Sequence, residues 1–94
     1  MLDELLILKK IKGGDIKAFE ELFRRYYFPL CCYAAGITGQ MEVAEEIVEE
    51  LFYVLWKERE RLQIFQSVKS YLYRATRNQS LQYCEHEEVR NRYR

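Results

Sequence analysis

An all-α fold, a compact helical domain of about four helices, is what this sequence predicts. Three observations carry that reading. Apolar residues recur at i, i+3 and i+4 in four separate segments. Breaks fall between the segments, at Gly13-Gly14, at Gly36 to Gly39 and around Gln63 to Gln66. No stretch sustains the alternation, bounded by turn dipeptides, that a strand needs.

The totals agree. Ninety-four residues, 49% of them hydrophobic, suit one small domain. A chain of this size buries a little over ~60% of its unfolded surface, enough for one core. No apolar run approaches the ~20 residues that span a bilayer. The opening Met1-Leu2-Asp3-Glu4 lacks the basic flank of a secretion signal. Three cysteines, Cys31, Cys32 and Cys84, make a poor disulfide framework, and the first two read as buried thiols of a reducing cytoplasm.

The first helix is expected from about Leu2 to Lys12, with Leu2, Leu5, Leu6 and Ile11 on its inner side. It is short and marginal by itself. The second starts after Asp15, a suitable N-cap. Phe19, Leu22, Phe23, Tyr26 and Leu30 give its inward spacing. Pro29 interrupts, so the segment reads as a kinked helix to about Ala35, ended by Gly36, or as two pieces broken at Phe28.

The third helix, within "VAEEIVEELFYVLW" (43–56), is the clearest. Ala44, Ile47, Val48, Leu51, Phe52 and Leu55 form an apolar stripe. Glu42, Glu45, Glu46 and Glu49 form the opposite one, with Glu50 at its edge. The fourth is capped by Ser67. Val68, Tyr71, Leu72 and Ala75 are expected inside, with Lys69, Tyr73, Arg74 and Arg77 outside or at the edge. It should pass Tyr83 and then fray through "CEHEEVRNRYR".

Formal net charge is zero but unevenly placed. Residues 1–60 carry eight Lys/Arg against twelve Asp/Glu, a net of −4; residues 61–94 carry seven against three, a net of +4. The separate patches therefore say more about partners than the average does.

Enzyme chemistry finds little support. His86 is the sole histidine, structural zinc needs about four ligands, and no second cluster accompanies Cys84-Glu85-His86. No Gly-rich loop has phosphate-cradle spacing. A di-iron bundle needs inward Glu and Glu-x-x-His motifs, whereas these carboxylates lie opposite the apolar stripe. Neither metal nor cofactor is expected.

Binding remains. The acidic stripe reads either as a solvated helix face or as a docking surface. Glu42–Glu46, Glu45–Glu49 and Glu46–Glu50 are like-charge i, i+4 pairs that cost a few tenths of a kcal/mol each, and no cation enters the helix before Lys57. Tyr53, Val54 and Trp56 beside the charge suit an interface. In the fourth helix, Lys69, Arg74 and Arg77 interleave with Tyr71, Tyr73 and Tyr83 and with Asn78, Gln79 and Gln82. Cations neutralise phosphates, rings stack on unpaired bases and amides read base edges. An ordinary amphipathic helix with core tyrosines is the other reading, strongest for Tyr71.

Taken together, "GDIKAFEELFRRYYFPL", "AEEIVEELFYVLW" and "SVKSYLYRATRN" resemble region 2 of bacterial sigma factors, more narrowly the extracytoplasmic-function type. The resemblance covers roughly Gly14 to Tyr83. It implies an all-helical domain that docks on the β′ coiled coil of RNA polymerase and opens the promoter minus-ten element. Where the family reads "AEDLVQEVF" this chain has "AEEIVEELF". That match puts Glu45, Glu46, Glu49 and Glu50, with Tyr53 beside them, on the polymerase-docking helix, with Glu49 replacing the usual Gln. "AWLYRIARN" becomes "SYLYRATRN", so Arg74, Arg77 and Asn78 match in place and Tyr71 stands for a common tryptophan. The loop before that helix holds a flipped-out base in the family, which points to Arg61, Gln63, Ile64 and Phe65. Lys69 and Gln82 complete the expected DNA face, though the family often has Asp at position 82. The implied partners are the polymerase core (β′ subunit) and the non-template strand of the minus-ten element, with an anti-sigma factor a further one, and no membrane. Sigma factors of this type continue through a linker, begun here by residues 84–94, into a helix-turn-helix domain that this sequence does not contain. A helical protein-protein adaptor that never touches nucleic acid is the alternative.

Overall fold

In a computed structural model, residues 3–64 and 67–93 are described. Four helices follow in order: α1 (Glu4–Lys12), α2 (Ile16–Thr38), α3 (Met41–Lys57) and α4 (Val68–Arg92), with a 3-10 turn at Arg59–Arg61 before the last loop. Among the described residues every regular element is helical.

Side chains that the sequence places at the starts do the capping. The Asp3 carboxylate accepts from the Leu5 N–H at 3.0 Å, and Asp15 accepts from Lys17 and Ala18 at 3.0 and 3.2 Å. Ser67 accepts from Ser70 at 3.1 Å. Each cap satisfies donors that the first helical turn leaves free.

α2 is the hub against which the other three helices pack. Its Leu22, Leu30 and Ala34 are fully buried, together with Ala44, Val48, Phe52 and Leu55 of α3 and Val68 and Leu72 of α4. Phe52 meets Phe23 edge-on at 5.0 Å and Phe19 at 6.1 Å; Trp56 lies 5.1 Å from Phe19. This aromatic seam fastens α3 to α2, each such pair adding roughly 0.5–1.5 kcal/mol to the burial itself.

Five details differ from the sequence reading. α1 is rotated: Ile7, Leu8 and Ile11 are buried, while Leu5 and Leu6 keep 38% and 43% of their surface exposed. Glu4 contributes to that orientation by accepting from the Tyr26 hydroxyl at 2.8 Å and pairing with Arg25 at 3.3 Å. Burial, and then this bond, push Tyr26 up to about 12. Leu2 lies outside the described residues. α2 passes both Pro29 and Gly36 without a break and stops at Gly39, whose φ of +78° is the left-handed conformation glycine adopts freely. A break at Phe28 is thereby excluded. Cys31 is buried, and burial raises its thiol pKa, but Cys32 is exposed.

The remaining differences fall in α4. Its inner stripe runs Val68, Leu72, Thr76, Ser80, the last two fully buried despite their hydroxyls, while Tyr71 turns outward. The helix also continues to Arg92 rather than fraying after Tyr83. Ion pairs Glu87–Arg90 and Glu88–Arg92 at 3.2 Å line its last turns. The Cys84 thiol donates to the Ile37 carbonyl at 3.4 Å and Gln40 to the Tyr83 hydroxyl at 3.3 Å, tying this half of α4 to the end of α2 and the start of α3.

Candidate functional site: a groove between an acidic and a cationic helix

The helical pitch of α3 turns its core residues toward α2 and leaves a broad outer face. Glu42, Glu46, Glu49 and Glu50 are exposed on it and Glu45 is half-buried. Among the described residues none of these five carboxylates forms an ion pair. They do not form a single row. Glu49 is drawn toward α2, where it accepts from the Tyr27 hydroxyl at 3.1 Å. Glu46 and Glu50 lie on the other flank, against α4. Tyr53, 60% exposed, continues the face, with the Lys57 ammonium 5.9 Å from its ring centroid.

Tyr27 stacks on Phe23 at 4.7 Å. Burial, followed by the bond to Glu49, raises the Tyr27 pKa, so the hydroxyl stays a donor throughout the physiological range. Glu49 is therefore oriented, while Glu46 and Glu50 keep their freedom.

On α4, Lys69, Arg74 and Arg77 are exposed and have no carboxylate partner among the described residues. The helix holds no acidic residue before Glu85. Asn78 and Gln82 are exposed as well. Thr76 and Ser80 are the small members of the buried stripe; Tyr73 packs half-buried on Tyr33 of α2 at 5.1 Å, while Tyr71 and the larger polar side chains stay outside.

The two helices meet at a groove of about 600 Å³. Val43, Ile47, Leu51 and Val54 line its α3 side, with Glu46 and Glu50; Tyr71, Ala75, Asn78, Gln79 and Tyr83 line its α4 side. Tyr71, for which a core role was the strongest competing reading, instead shows 37% of its surface beside this groove. Glu46 and Glu50 thus share one boundary with Tyr71, Asn78 and Gln79, whereas Lys69, Arg74, Arg77 and Gln82 do not line it. Glu45 and Glu49 stand apart from it, on the α2 side.

At the far end lies the loop. Arg61 is highly exposed and pairs with Glu58 at 3.6 Å, so it is less free than the cations of α4. Gln63 is exposed and Ile64 half-buried; Phe65 lies outside the described residues. A second hollow, about 500 Å³, opens between this loop and α1, lined by Leu5, Leu8, Lys9, Lys12, Leu62, Gln63 and Ile64. The two lysines had no local sequence signal for this place, since Lys12 meets Leu62 across 50 positions of chain. Among the described residues no group of three or more His, Cys, Asp or Glu could hold a metal ion, and no helix is long and apolar enough to cross a membrane.

The family model described as Sigma-70 region 2 matches residues 22–89. The chain belongs to the sigma-70 region 2 family. Region 2 is a transcription-initiation domain, generally involved in binding core RNA polymerase and in recognising the promoter minus-ten element; it is not an enzyme family. The matched span includes all of α3, most of α2 and α4, and the groove between α3 and α4. It leaves out α1. In structure the region 2 domain is similar to an engineered region 2 of sigmaE, determined by NMR in complex with GTAAAA. The TM-score is 0.78 at 21% sequence identity, over 95% of this chain and 93% of that one. A likeness at that identity speaks for the fold. A search of the curated proteins finds no match to the chain.

Proposed function

We propose that this region 2 domain is of the extracytoplasmic-function type and works in the cytoplasm. Its acidic α3 face docks on the coiled coil of the polymerase β′ subunit, and α4 with its preceding loop captures unstacked bases of the non-template minus-ten strand. The observation that carries this reading is the unpaired charge on both helices. A carboxylate already held by a lysine must exchange one partner for another; Glu46 and Glu50 need no such exchange. The same holds for Lys69, Arg74 and Arg77 toward phosphates.

The roles divide accordingly. Glu46, Glu50 and Tyr53 make the direct contacts to a basic coiled coil, and Glu49, oriented by Tyr27, adds a fixed one beside Glu45. Arg74, Arg77 and Lys69 neutralise phosphates, Tyr71 offers a stacking face, and Asn78 and Gln82 offer amides to base edges. Arg61 and Gln63 belong to the loop that holds a flipped-out base. Unstacking a base costs a few kcal/mol, which stacking and phosphate contacts recover. No covalent chemistry is involved.

Two measurements test the two halves. Core polymerase should retain the wild-type domain and lose the Glu46→Lys/Glu49→Lys double variant. Equal retention of both, each shown folded by circular dichroism, refutes the docking face. With the domain held on polymerase, affinity for a minus-ten single strand is then followed against salt. Arg74→Ala and Arg77→Ala should each flatten the log–log slope by roughly 0.7, the single-strand value per phosphate. An unchanged slope in both removes them from the DNA face.

A further inference from the structure

The Lys12 ammonium lies 2.7 Å from the Leu62 carbonyl oxygen. We propose that this bond makes Lys12 a positioning residue for the base-capturing loop, an inference that rests on the loop's role in the proposed function. α1 thereby becomes a strut between the hub helix and the loop.

The strut is fixed at both ends. Near its start, Glu4 is held by Tyr26 and Arg25 of α2. Along its length, Ile7, Leu8 and Ile11 enter the core. At its end, Lys12 lies in the last turn, where a cation also favours the helix dipole. A nine-residue helix would not persist in isolation, so its orientation comes from these ties.

At the other end of the bond, Leu62 is restrained in three ways. Its side chain is buried, with 8% exposure. Its N–H donates to the Arg59 carbonyl at 3.3 Å, and its own carbonyl accepts from Lys12. The chain leaves the 3-10 turn there in an extended conformation, φ −62° and ψ 130°. The direction in which Gln63 and Ile64 depart is therefore set at Leu62. A bond from a charged donor is shorter and roughly twice as strong as a neutral one, which suits a single anchor at the root of a loop. Fixing a loop in its binding conformation before the ligand arrives raises affinity by lowering the ordering cost of binding.

Lys9 lines the same hollow but makes no bond to the loop among the described residues. It therefore serves as a control for charge. Lys12→Met keeps the aliphatic stem and loses the donor, Lys12→Arg keeps a donor, and Lys9→Met removes the same charge from the same hollow. Amide hydrogen exchange at Leu62, whose N–H is bonded at the root of the loop, reads the clamp directly. It should quicken in Lys12→Met, with the core of α2 and α3 unchanged, and stay close to wild type in Lys9→Met. On polymerase, the Lys12→Met domain should bind the minus-ten single strand about tenfold more weakly, the usual scale for losing a bond to a charged group. Its penalty for a wrong base at the captured position should shrink, its salt slope should not change, and Lys12→Arg should restore part of the discrimination. A slope flattened by roughly 0.7 with unaltered exchange would make Lys12 a phosphate contact and overturn the proposal. Unaltered exchange with unaltered affinity would overturn it too. Gln63→Ala and Ile64→Ala separate the two levels. If those changes leave base discrimination intact, the loop does not read the base; the proposed function fails there, and quickened exchange in Lys12→Met would then mark a clamp with no part in DNA binding.

Discussion

α3 and α4 both pack on α2, but with different mixtures of side chain. α3 is fastened by rings, with Phe52 between Phe19 and Phe23 and Trp56 against Phe19. α4 is fastened by Val68 and Leu72, by the small hydroxyl residues Thr76 and Ser80, and by one ring pair at its edge, Tyr73 on Tyr33 at 5.1 Å. The consequence shows on the outer faces. Phe52 and Trp56 are used inside the α3 seam, and the outside of that helix carries the exposed glutamates with Tyr53 among them. Fewer rings enter the α4 seam, only Tyr73 meeting Tyr33, and Tyr71, Arg74, Arg77 and Asn78 remain available outside. A seam rich in rings stabilises, while a seam that takes fewer large side chains leaves a helix more of them for a ligand.

The largest effect should follow from emptying the aromatic seam. Phe52→Ala removes a ring with only 2% exposure. Truncations of this kind cost about 3–5 kcal/mol, a large part of the ~5–15 kcal/mol that holds a small domain folded. A urea titration should show the midpoint collapsing, with Phe52→Leu much milder because it conserves most of the volume. A Phe52→Ala midpoint within error of wild type would mean that the rings are not what fastens α3.

Next comes the opposite manipulation on the other seam. Ser80 is fully buried, and its hydroxyl donates to the Thr76 carbonyl at 2.8 Å. Ser80→Leu forces volume in where there is none, which typically costs about 1–3 kcal/mol. The contrast with α3 is functional as well. Lifting α4 from α2 shifts Tyr71, Arg74 and Arg77 but leaves Glu46 and Glu49 where they are. Binding of the minus-ten strand should therefore weaken while retention by polymerase core holds. Equal loss of both activities would show that the two seams are not independent.

How far the sequence showed this depends on which residues fill each seam. The α3 stripe was legible because its inner residues are apolar and its outer ones charged, so period and chemistry agree. The α4 stripe was only half legible: Thr76 and Ser80 are polar by type and buried by place, and an apolar period cannot see them. The apolar period puts Tyr71 inside for the same reason. In α1, Leu5 and Leu6 fit an inward stripe as well as Ile7 and Leu8 do, and tertiary ties through Glu4 and Lys12 favour the second. Gly36 looked like a stop, yet a helix tolerates one glycine, and the left-handed turn falls at Gly39. Of the site, the charged residues were legible as types and spacings. The groove that Glu46 and Glu50 share with Tyr71 and Asn78, the Tyr27–Glu49 bond across 22 positions and the Lys12–Leu62 bond across 50 are brought together only by the folded chain.

The smallest effect has the opposite sign. Thr76 Oγ1 is buried and has no hydrogen-bond partner among the described residues. A buried hydroxyl without a partner carries its desolvation cost, about 1–3 kcal/mol, with nothing to offset it. Thr76→Val has the same shape and a methyl in place of that oxygen, and the Thr76 carbonyl that accepts from Ser80 belongs to the backbone and is unaffected. Valine and threonine are both β-branched, so helix propensity changes little. Thr76→Val should therefore stabilise the domain by about 1 kcal/mol, raising the urea midpoint without changing the slope of the transition. Because the seam stays small, Tyr71 and Arg74 keep their places and strand binding should match wild type. A destabilised variant would show that the hydroxyl has a partner, such as an ordered water, and that the α4 seam is held by polar contacts rather than by close approach alone.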